Sequence, residues 1–135
     1  PVQSEKAVQA GGLLTHGSVN GRLWQRCSEA TKLSYVSGFS DGLITMFIDQ
    51  LVQDEAAGRD VQTSAETALS LLRKYQPPSM SSADKVAALD RFYLDTRNLP
   101  IPVMDALEIV AMWQNGVPEA ERSARTLNAR QAASK

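Results

Sequence analysis

Cysteine is almost missing from this chain: Cys27 is the only one in 135 residues, so no internal disulfide can form and packing alone must hold the fold. Histidine is as scarce, with His16 its only representative. One His and one Cys do not make a transition-metal site, and no Asp-x-Asp calcium loop is present, so no metal and no cofactor is expected. A reactive Cys27 would need a base beside it, and His16 lies in a Gly-rich stretch well upstream. Cys27 therefore reads as a small apolar residue near a helix start.

Charge of one sign is also lacking. Fourteen basic residues stand against fifteen acidic ones, a formal net charge of −1. Phosphate backbones are bound by an excess of Lys and Arg, so nucleic acid is not an expected partner. The most apolar stretch, 33–52, is broken by Asp41, Asp49 and Gln50. A carboxylate at a bilayer centre costs ~2.5–3.5 kcal/mol, so the chain is expected to have no transmembrane segment of its own. Phosphate-cradling glycine loops, nucleophile elbows and Ser/Lys pairs are missing, so no catalytic residue is named and no enzyme is expected. Strand-period alternation of useful length is missing too.

Helical periodicity is what the chain does have. With 43% apolar residues it is long enough to bury one core. The fold expected is all-α: a compact bundle of five to six helices around one long central helix, about 29–57. Residues 1–19 read as a flexible N-terminal tail because glycines make ordering costly. Residues 20–128 read as a single helical domain, and 129–135 as a frayed C-terminal tail. A short helix is predicted over 20–26. Ser28 is a good N-cap for the long helix, since its hydroxyl can accept from a free backbone N–H in the first turn. Further helices are predicted over 63–75, stopped by Pro77-Pro78, from Ser81 or Ser82 to 94, over 102–115, closed by Gly116, and from 119.

On the long helix Val36, Phe39, Leu43, Phe47 and Leu51 form one apolar stripe, widened by Ile44 and Ile48 on one side and Tyr35 and Met46 on the other. Packing on several sides is the expectation. The remaining sector carries Ser34, Gly38 and Gly42, whose four-residue spacing predicts close helix–helix packing, since glycine otherwise weakens a helix by about 1 kcal/mol. Asp41 and Asp49 lie on or beside this sector, which makes it the alternative location for a crevice binding a small ligand or supporting weak hydrolysis. Trp24, Lys32, Tyr35, Asp41, Tyr93 and Asn98 are the candidate binding residues, chosen for aromatic surface or charge. The expected partner is another protein, in a homo-oligomer or a larger complex.

Two blocks carry a resemblance. Asn20-Gly21-Arg22-Leu23-Trp24 followed by Lys32-Leu33-Ser34-Tyr35-Val36-Ser37-Gly38-Phe39 and Gly42 forms the first; Leu89-Asp90-Arg91-Phe92-Tyr93-Leu94-Asp95, Asn98, Ile101-Pro102-Val103 and Ala106-Leu107 form the second. Together they resemble small exported bacterial helical proteins of unassigned function. More distantly, the block from Tyr35 to Gly42 is similar to the helical immunity proteins used against type VI secretion amidases. Those are periplasmic binders, often dimeric, that commonly carry paired cysteines where this chain has only Cys27. The resemblance implies export to the periplasm or cell envelope of a bacterium, with Pro1 a cleaved end. It implies no activity. The missing catalytic groups, the aromatic residues and the tails at both ends point to a non-enzymatic binding protein, inhibitory or an accessory subunit of a larger envelope assembly.

Overall fold

The computed structural model describes residues 12–135. Within them the fold is all-α, with six α-helices and one minimal hairpin. The hairpin pairs β1 (Leu14–Thr15) with β2 (Ser18–Val19), antiparallel, in the register Leu14 to Val19 and Thr15 to Ser18. Its two-residue loop is His16-Gly17, both at positive φ, 50° and 79°, which is the combination that matches the right-handed twist of paired strands. Residues 12–19 are thus not the flexible tail expected of them. Thr15 is buried with its hydroxyl bonded to the Pro100 carbonyl, and Asn20 bridges to Pro102. The rest of the expected tail, 1–11, lies outside the described residues.

Asn20 caps α1 (Gly21–Trp24), its side chain accepting from the Arg22 and Leu23 amides. Ser28 caps α2 (Glu29–Ala56) as expected, accepting from Thr31 N–H. Asp60 starts α3 (Val61–Tyr75) two residues earlier than the apolar pattern suggested, because a capping carboxylate, and not the first apolar residue, sets a helix start. A reciprocal Ser81–Asp84 capping box opens α4 (Ser82–Phe92). A 3₁₀ turn (Thr96–Asn98) leads to α5 (Val103–Gln114), and Gly116 at φ 70° ends it. The last helix, α6 (Glu119–Ala133), runs through the region expected to fray. It docks through the buried Ala129 and through arginines: Arg125 bonds Asp105 and Glu108, and Arg130 bonds Asn98 and Asp95. An apolar stripe was the wrong signal to seek there, since Leu127 is exposed.

The core is densest on α5, where Val103, Ala106, Leu107, Ile109, Val110 and Ala111 are all buried. Trp24, Val36, Leu89, Phe92, Tyr93 and Ile101 close over them. The long helix meets this core through its first half only. Its contacts with α4 run from Lys32, paired with Asp90, to Ser37, bonded to Ser82. At 28 residues α2 is about 42 Å long, whereas the 11 residues of α4 span about 16 Å. The second half of α2 and the first half of α3 therefore project as a two-helix arm.

Candidate functional site

Three of the six candidate binding residues meet where α1, α2 and α4 converge. Trp24 is buried, and its indole N–H donates to Asp90 Oδ1 at 2.8 Å. Lys32 Nζ donates to the same oxygen at 2.7 Å and stands 5.4 Å over the Trp24 ring. Tyr35 meets that ring edge-on, centroids 6.2 Å apart, and burial pushes its hydroxyl above the ordinary tyrosine range. Asp90 is the hub, and no pattern of spacing singled it out. With indole and ammonium both committed to one carboxylate, the cluster clamps three helices together.

Tyr93 and Asn98 are structural in the same sense. Tyr93 is fully buried, its hydroxyl donates to Ile101 O at 3.0 Å, and burial drives its pKa far up. Asn98 is buried, donates through Nδ2 to Phe92 O at 2.7 Å, and accepts at Oδ1 from Arg130 Nε at 2.9 Å. The neighbouring Asp95 takes a two-pronged bond from Arg97 and a further one from Arg130. The bonds from Arg97, against the opposing effect of burial, hold the Asp95 carboxyl well below the usual range, with the charge of Arg130 adding to them. These bonds brace the connection between α4 and α5.

Asp41 joins none of this. It is exposed on α2, as are Ser34, Gly38 and Gly42. Among the described residues nothing lies within 4 Å of where a Cβ would stand on Gly38 or Gly42. The close packing expected across Ser34, Gly38 and Gly42 does not occur among the described residues, because α3 and α4 both pack on the opposite side of α2. The close glycine approach is at Gly21 instead, where an added Cβ would collide with the Tyr93 ring and stand 3.0 Å from Leu99 Cα.

The arm is the surface that helical periodicity alone did not reveal. Its tip is well built: Asp54 is buried and accepts from Ser64 at 2.5 Å and from Gln50 and Arg59 at 2.8 Å each. These bonds, the Ser64 hydroxyl foremost, lower the Asp54 pKa. Gly58 at φ 67° turns the chain, and Asp60 restarts it. Between tip and body the apolar residues are largely uncovered. Ile48 is 55% exposed and Val52 59%, with Ile44 on the same side of α2; Met46 on its other flank and Leu69 and Leu71 on α3 are exposed as well. Ile44, Ile48 and Val52 recur at four-residue spacing, a continuous edge along one side of the helix. The sequence pattern correctly placed these apolar residues and wrongly supplied a neighbour for them, since α4 ends before it reaches Ile44.

No group of three or more metal-ligating side chains occurs among the described residues, and no helix among them is long and apolar enough to cross a membrane. Comparison with family models, curated proteins and solved structures finds no match to the chain.

Proposed function

We propose that this chain is a non-enzymatic, exported helical binding protein, inhibitory in the manner of immunity proteins or an accessory subunit of an envelope assembly, and that the α2–α3 arm is its binding surface. The observation that carries this reading is the edge of exposed Ile44, Ile48 and Val52 along one side of α2, on an arm that otherwise has a fully capped, hydrogen-bonded tip. Exposed apolar side chains that line up along one helix edge mark an interaction surface better than scattered ones do. Covering a half-exposed side chain of this size returns about 1 kcal/mol at ~25 cal/mol per Å², so each residue of this edge gains from a protein that covers it. The non-enzymatic part is supported by the fate of the candidate groups: Trp24, Tyr93 and Asn98 have their polar atoms in structural bonds. The exported part rests on the two sequence blocks that resemble exported proteins.

The test is a double variant, Ile44→Glu with Ile48→Glu. Because both positions are solvent-facing, far-UV and near-UV circular dichroism should be unchanged. Affinity isolation from native cells and light scattering on the purified chain should lose, relative to wild type, whatever protein or second copy the arm holds. Identical assemblies for variant and wild type would end the reading. Fractionation of native cells checks the exported location separately.

A further inference from the structure

Away from the arm, the α5–α6 corner holds a notch of about 540 Å³ whose character is cationic. One face of α6 lines it with Arg122, Ser123, Thr126 and Arg130, while Trp113 from the end of α5 and Arg97 from the 3₁₀ turn form the opposite walls. The acid in the lining is Glu119. Two of the three guanidiniums share one carboxylate: Arg97 forks onto Asp95, and Arg130 bonds Asp95 and Asn98. Arg122 differs. Among the described residues it has no carboxylate within salt-bridge distance, and its Nε is buried without a hydrogen-bond partner. Its guanidinium lies 5.2 Å over the ring of Trp113, which is 57% exposed.

A guanidinium held over an indole face by the cation–π attraction keeps N–H groups for an acceptor. The terminal Nη groups of Arg122 also make no hydrogen bond among the described residues and, unlike Nε, are not buried, so an incoming anion can take charge-assisted bonds from them. Trp113 also borders a smaller recess of about 100 Å³ reached by Met80, Ala88, Phe92 and Val110, so apolar surface adjoins the cationic edge. We propose that this notch binds an oxyanion, a carboxylate or a phosphate, with Arg122 as the primary ligand, Arg130 and Arg97 as flanking charge, and the ligand's apolar part against Trp113. This site is separate from the arm and does not depend on the reading given above for it.

Tryptophan emission reads the site directly, because Trp24 is 1% exposed and Trp113 is the solvent-facing one. At constant ionic strength, inorganic phosphate and phenylacetate should each be titrated against the whole chain. A saturable shift of the Trp113 emission with either probe is expected. Phosphate acting alone would identify a phosphate-bearing ligand, and phenylacetate acting alone or more strongly a carboxylate one. Arg122→Gln should weaken the response at least tenfold, Arg122→Lys less, and Trp113→Phe should remove the optical signal. If Trp113→Phe does not fold, the Arg122 Nε–H resonance in the wild-type chain gives the same titration. No saturable change with either probe, or an unaltered response in Arg122→Gln, would overturn the assignment.

Discussion

Single residues carry more of this fold than the stripe arithmetic suggested, and they do so through contact and charge. Gly21 is the clearest case: the space a Cβ needs is occupied by Tyr93, and its N–H donates to Leu99 O at 2.9 Å. Gly21→Ala is therefore expected to destabilise the chain by about 1–3 kcal/mol, the usual cost of overpacking a filled site, measured by urea unfolding. Asp95 makes a prediction in pH. Its folded pKa is depressed by the Arg97 bonds, with Arg130 contributing, so its stabilisation is fully present above the unfolded value of 3.8 and lost as pH falls toward the folded one. The stability gap between wild type and Asp95→Asn should accordingly be widest near pH 6 and narrow between pH 4 and pH 2.5. A gap constant across that window would show that the carboxylate's charge is irrelevant there.

At the scale of elements, what was legible in the sequence was the helix and its cap, and what was not was the neighbour. Ser28, Ser81 and Gly116 ended or began helices where local chemistry said they should, because a cap is decided within four residues. Strands β1 and β2 leave no period in the sequence because two residues each are too few for one, although the His16-Gly17 pair holds the turn signal. The full length of α6 is not legible locally because its anchors are arginines whose acceptors, Asp95, Asn98, Asp105 and Glu108, lie far away in sequence. The site candidates fared similarly. Trp24, Lys32 and Tyr35 do come together, but the Asp90 that unites them sits 58 positions from Lys32. The small-residue stripe of α2 is open, which makes a prediction at this scale. Gly38→Ala and Gly42→Ala should each stabilise the isolated chain by up to about 1 kcal/mol, read as a rise in thermal midpoint, since alanine favours helix and meets nothing here. A loss of stability would mean that something packs against that face after all.

The whole molecule divides into a filled body and an arm with one seam. Amide exchange should report the division: α5, buried along nearly its whole length, is expected to exchange by global opening, and the distal arm faster through local opening. Equal protection in both would contradict the division. A further consequence follows from the hairpin at the opposite end. The His16 ring bonds the Ala132 carbonyl at 3.2 Å, and Gly12 and Ser134 border the same hollow. The first and last described stretches are therefore neighbours. Whatever the chain is joined to before residue 12 or after residue 134, by nature or by an engineer's fusion, attaches at one corner. A body gripped at that corner keeps its long two-helix projection free to sweep the surrounding solvent, as a fishing rod is held by the butt.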